Sequence, residues 1–140
     1  MIDEIYNKEV LRLAATISRT TPLKLPNSRT SLRSPLCGST IDVDLRIEEG
    51  MVTDYSHMVK ACALGQASAS VLADNVIGKN IDEIQTIRDE LEAMLSDKGD
   101  PLTGCWESLN ALQPAKDAKA RHGAILLPFD AVIKGFSDLK

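Results

Sequence analysis

The sequence predicts an α+β domain, a small antiparallel sheet packed on several α-helices. Three observations carry this. Ile41, Val43, Leu45 and Ile47 alternate with Asp42, Asp44, Arg46 and Glu48, the period-two pattern of a half-buried strand. Glu48-Glu49-Gly50 then makes a tight turn, after which residues 51–61 return alongside as a second strand. On either side of this hairpin, apolar residues recur at helical spacing.

Taken in order, Ile2, Ile5, Tyr6, Val10, Leu13, Ala14 and Ile17 give an amphipathic helix over residues 2–17. It ends before TTPLKLPNSRTS, where Pro22 and Pro26 forbid helix continuation. That stretch reads as a linker or an arm over the surface, and the hairpin leaves an edge to which a third strand can add. After the hairpin, residues 64–76 form a helix of small side chains that stops near Gly78. Asn80 and Glu83 form a capping-box pattern ahead of the stripe Ile81, Ile84, Ile87, Leu91, Met94 and Leu95. KGDPLTG is a loop, and a short helix runs from about Trp106 to Leu112. Pro114 is placed to open the last helix, with Ile125, Leu126, Phe129, Val132, Ile133 and Phe136 on its apolar side and a kink at Pro128.

The chain has 140 residues, enough for one domain (residues 1–140) with a core that needs no staples. Its net charge of −4 ranks nucleic-acid binding low. No apolar run is long enough for a membrane helix, and the acidic N-terminus does not read as a signal peptide. Cys37, Cys62 and Cys105, odd in number and widely spaced, argue against a disulfide framework. A reducing, cytoplasmic location follows as the expectation.

The cysteines then become candidate ligands or nucleophiles. Cys62 stands at the start of the small-residue helix, where free backbone N–H groups and the helix dipole favour a thiolate. Ala63, Gly65, Ala67 and Ala69 add little bulk, so a cluster or partner could come close. The alternative is a cysteine buried as a small hydrophobe. Cys37, in SPLCGS, lies on a turn entering the first hairpin strand. Because a hairpin brings its outer ends together, both thiols belong at one end of the sheet. Lys116, Lys119, Arg121 and His122 crowd the start of the last helix. They are either a solvated basic patch or a set in which a histidine ligand is flanked by charge-balancing cations. His57 reads as a half-buried sheet residue, and Cys105 as packing around Trp106, with a minor chance of a ligand role. No C-x-x-C pair is present, so this is not a standard zinc ribbon. Soft thiolates favour zinc or iron–sulfur chemistry.

SPLCGS, a hairpin, KACALGQASAS and GKNIDEI together resemble the NifU/IscU-type iron–sulfur cluster assembly scaffolds, including their SUF-associated branch. The likeness runs from the N-terminal helix to about Val132. It implies that Cys37 and Cys62 are the first two ligands of a transient [2Fe–2S] cluster, built from iron and from sulfur delivered by a cysteine desulfurase. The cluster would then pass to carriers or recipient apo-proteins. Two departures stand out. The Asp expected two residues after the first cysteine is Ser39, and the third cysteine is replaced by Gly123. His122, immediately before it, is then the substitute metal ligand, and Lys119 and Arg121 balance charge or meet the desulfurase. The resemblance implies a non-enzymatic scaffold or carrier, as a monomer or as a dimer bridged by the cluster. The rival readings are a zinc-dependent sulfur acceptor that stimulates the desulfurase, and a metal-free interaction module of the same fold.

Overall fold

The computed structural model describes residues 7–36, 38–96 and 98–139. Its sheet has three strands, β1 (Ser28–Arg33), β2 (Thr40–Glu48) and β3 (Met51–Lys60), antiparallel in the order β1-β2-β3. Its α-helices are α1 (Lys8–Ala15), α2 (Ala63–Asn75), α3 (Ile81–Leu95) and α4 (His122–Ser137). Between α3 and α4 the chain winds in 3-10 turns over Gly104–Asp117 and Lys119–Arg121.

The hairpin follows the sequence pattern closely. Ile41, Val43, Leu45 and Ile47 are buried while Asp42 and Glu48 are exposed. Glu49 as well as Gly50 adopts positive φ, 52° and 79°, the pair that a two-residue hairpin turn needs to match strand twist. The register shifts between Arg46 and Ile47, leaving Thr53 as the extra residue opposite them, with its Oγ1 donating to Arg46 O at 3.2 Å. This bulge explains why Thr53 and Asp54 are exposed one after the other.

The third strand comes from the stretch read as an arm. Ser28 pairs with Leu45 and Arg33 with Thr40, so TTPLKLPNSRTS is an arm only up to Asn27. Its buried face carries hydroxyls where apolar residues would have signalled a strand. Ser28 Oγ donates to Gly135 O of α4 at 2.6 Å, and Thr30 Oγ1 to Asp138 Oδ2 at 3.3 Å. Ahead of β1, Asn27 splices the arm to β2 by exchanging two hydrogen bonds with Ile47, at 2.7 and 2.8 Å.

One apolar core joins the inner face of the sheet to α1, α2, α3 and α4. Nearly all of α2 is buried, from Leu64 to Ala73 apart from Gln66. Its small residues therefore let neighbouring helices approach and do not open a path to a partner. A Cβ on Gly65 would lie 3.2 Å from Ala124 O and 3.3 Å from Ala124 Cβ of α4. Ser68 Oγ fastens the same helix pair by donating to Ile125 O at 2.6 Å.

Several expectations are corrected. Asn7 is extended and caps α1 by accepting Val10 N–H at 2.9 Å, so the helix begins at Lys8 and ends at Ala15, while residues 1–6 lie outside the described residues. Pro114 lies within the 3-10 turns and does not open the last helix, which begins at His122. The short helix expected at Trp106–Leu112 is part of those 3-10 turns, and Pro114, which has no N–H to donate, lies inside them. The capping box of α3 forms as expected, Glu83 N–H donating to Asn80 Oδ1 at 2.9 Å.

Candidate functional site

Strand pairing sets the frame. Thr40 of β2 lies between Arg33 of β1 and Lys60 of β3, so the turn joining β1 to β2 and the exit of β3 share one end of the sheet. Position 37, on that turn, lies outside the described residues, and the placement of the Cys37 thiol is not described. Its flanks are. Ser34 N–H donates to Ser39 O at 2.8 Å, and Gly38 N–H to Ser34 O at 2.9 Å, closing a tight loop. Gly38 takes φ 71°, a conformation glycine adopts without steric cost. The Arg33 guanidinium reaches back over this loop, 3.9 Å from where a Gly38 Cβ would stand.

Just past β3, Cys62 is the N-cap of α2, with extended backbone and half-buried. Its carbonyl accepts the first helical bond, from Gln66 N at 3.0 Å, while its side chain makes no capping hydrogen bond. The thiol thus stands at the positive end of a 13-residue helix without being spent on the helix itself. It also packs in part against the core.

The start of α4 closes the third side. Gly123 abuts Ser34, since a Cβ there would fall 2.5 Å from Ser34 Oγ, and the next residue, Ala124, packs on Gly65 of α2. The β1–β2 turn, the mouth of α2 and the first turn of α4 therefore meet. Ser34 is 3% exposed, and its hydroxyl has no hydrogen-bond partner among the described residues. Ser39, in the place of the expected carboxylate, is buried on the same turn.

His122 is the first residue of α4 and half-exposed. Its Nε2 lies 3.0 Å from Ala115 O. A carbonyl only accepts, so Nε2 carries the proton, and in the neutral ring Nδ1 holds the free lone pair. Lys98, Lys116, Lys119 and Asp117 share a cleft of about 420 Å³ with it. Arg121 lies in the turn just before. Among the described residues, no three His, Cys, Asp or Glu side chains form a ready metal cage.

Other expectations resolve differently. Cys105 is exposed, and the ring of Trp106 meets that of Phe129 with centroids 5.8 Å apart. His57 is fully buried, Nε2 on Ser18 O at 2.8 Å and Nδ1 facing the Tyr55 hydroxyl at 3.4 Å. Desolvation holds its pKa below the ordinary value, partly opposed by the bond to Ser18 and by Asp74. Sequence reasoning missed Ser34 and Arg33. The signal available was their position, immediately ahead of the Pro-Leu-Cys turn.

The sheet order, the helices behind it and a cysteine at the mouth of the small-residue helix define a class, and comparison with known proteins identifies it. The family described as "NifU-like N terminal domain" matches residues 5–118, and the chain belongs to that family. The N-terminal NifU-like protein of Brucella abortus shares 44% identity and a TM-score of 0.92, over 98% of this chain and 95% of its own. A Fervidobacterium islandicum AW-1 protein, described as a SUF-system iron–sulfur cluster assembly scaffold, shares the fold at a TM-score of 0.83 and 18% identity, over 94% of this chain and 96% of its own. Among curated proteins, the iron–sulfur cluster assembly scaffold protein IscU of Thermotoga maritima is 36% identical over 58 residues, 41% of each chain. That of Streptococcus pyogenes is 29% identical over 70 residues, 50% of this chain and 44% of its own. The chain thus matches less than half the length of these curated relatives. No helix among the described residues is long and apolar enough to cross a membrane.

Proposed function

We propose that the protein is an iron–sulfur cluster assembly scaffold. It holds a transient [2Fe–2S] cluster as cargo, on Cys37 and Cys62, and passes it to carriers or apo-proteins in the cytoplasm. A cysteine desulfurase supplies the sulfur. The observation that carries this reading is Cys62, an uncapped and half-buried thiol at a helix mouth, set where the Cys37 turn and the start of α4 converge. Family membership and the names of the relatives support it.

The residues suit sulfur-rich cargo that must also leave. Cys62 stands at the positive end of α2, where anionic cargo is electrostatically favoured. His122 is a third ligand through Nδ1, because a ring whose other N–H is held by a backbone carbonyl is the usual arrangement of a ligating histidine. Arg33, Lys119 and Arg121 add positive charge near an anionic centre and a surface for the desulfurase. Ser39 and Gly123 stand in place of a carboxylate and a thiolate, so the protein offers fewer anionic ligands. Chemistry is done by the desulfurase, and the protein acts as carrier and not as enzyme.

The Ala115–His122 bond favours a second reading equally, a zinc-bound sulfur acceptor that receives persulfide sulfur on a cysteine thiolate. Metal analysis of protein isolated without oxygen separates the two. Iron and sulfide in equal amounts, absent from Cys62→Ser, support the scaffold. Stoichiometric zinc with faster desulfurase turnover supports the acceptor. Protein that binds neither metal would overturn both and leave an interaction module.

A further inference from the structure

Ser34 stands out as a buried group with unspent chemistry. Its backbone N–H and carbonyl both close the turn that carries position 37, to Ser39 O at 2.8 Å and from Gly38 N at 2.9 Å. Only the hydroxyl is left over, 3% exposed as a residue and without a partner among the described residues. A buried hydroxyl left unsatisfied is costly, and native structures rarely keep one without a reason.

Its surroundings supply the reason. The hydroxyl abuts Gly123, in the first turn of α4, where a Cβ would come within 2.5 Å of Oγ. That end of the 16-residue helix has no side-chain cap and no acidic residue in its first turn. One residue on, Ala124 touches Gly65 of α2, the helix that Cys62 caps. Ser34 Oγ therefore fills the space vacated by a side chain at position 123, at the joint of the three segments that bear Cys37, Cys62 and His122.

We propose that Ser34 is a positioning residue of this site, whose hydroxyl donates a hydrogen bond to the thiolate-ligated centre when the site is loaded. The inference rests on the assignment of Cys37 and Cys62 as ligands. A hydroxyl proton turns freely and finds its best acceptor in anionic sulfur. The empty protein carries the cost of the orphaned group, and loading relieves it. Ser34→Ala should therefore move stability and binding in opposite directions. A serine that merely filled space would move them together.

The test is anaerobic cobalt(II) titration of the full chain, read by thiolate-to-cobalt charge transfer, beside urea unfolding of the metal-free proteins. Ser34→Ala should bind cobalt about 10- to 100-fold more weakly, the usual range for losing a hydrogen bond to a charged group, while unfolding at the same or higher urea. Gly123→Ala, which crowds Oγ aside but leaves the hydroxyl, should weaken binding too and unfold at lower urea. Equal cobalt affinity in wild type and Ser34→Ala would overturn this proposal alone, as would weaker binding accompanied by a loss of stability. A wild type whose cobalt binding is unchanged by Cys62→Ser would overturn the ligand assignment, and this proposal with it.

Discussion

Replacing Gly65 by alanine tests the helix contact on which the site is built. The added Cβ would lie 2.8 Å from Ala61 Cβ, 3.2 Å from Ala124 O and 3.3 Å from Ala124 Cβ. Two of these atoms are Cβ atoms and one is a main-chain oxygen, and none can swing aside as the end of a long side chain would. Overpacking of this kind costs about 1–3 kcal/mol. Removing a glycine from a helix returns at most about 1 kcal/mol, and less here, in the first turn of α2. The net expectation is a loss of about 1–2 kcal/mol. For a chain of 140 residues that is a fall of about 3–7 °C in melting temperature. Trp106 is the only tryptophan and packs on Phe129 of α4, so its fluorescence reports unfolding by urea or heat. A Gly65→Ala protein as stable as wild type, or more so, would refute the claim that small residues in α2 exist to bring α4 close.

Three further outcomes follow from the same structure. Asn80→Ala removes the side-chain acceptor of Glu83 N–H in the α3 capping box and should cost about 1 kcal/mol, read as a lower urea midpoint with unchanged slope. Ser68→Ala leaves Ile125 O without its buried donor and should cost about 1–2 kcal/mol by the same assay, with Ser28→Ala on β1 a parallel case. His57 is held neutral, its pKa below the ordinary 6.5 because burial disfavours the charged ring. The unfolded chain then binds more protons than the folded one, so stability should fall as pH drops below about 6.5 and level off above it. His57→Gln should flatten that dependence, and an unchanged slope in the variant would show that other groups cause it.

Much of this architecture was legible because its signals are periodic. The strict alternation of residues 41–48 and the stripe from Ile84 to Leu95 each admit one structure, and Asn80 with Glu83 marks a helix start unambiguously. β1 escaped detection because its inward positions are Ser28 and Thr30, whose hydroxyls are satisfied by α4, a contact distant in sequence. The segment before α4 escaped for a related reason. Pro114 suits a helix start locally, but 3-10 turns continue to Asp117, and the helix waits until His122. At the site, the hairpin fixed which end of the sheet holds Cys62 and the Cys37 turn. The part played by Ser34 was invisible, because its meaning lies in the missing side chain of a residue far along the chain. Small residues in α2 were visible but misread. Accessibility and close packing leave the same mark on a sequence, and only the contact between Gly65 and Ala124 distinguishes them.

The most direct test of the central claim is anaerobic reconstitution with iron, cysteine and a cysteine desulfurase, followed by an absorption spectrum and by iron and acid-labile sulfide analysis. Wild type should show visible charge-transfer bands with matched iron and sulfide, and both Cys37→Ser and Cys62→Ser should lose them. Clusters formed at wild-type yield in both variants would contradict the account.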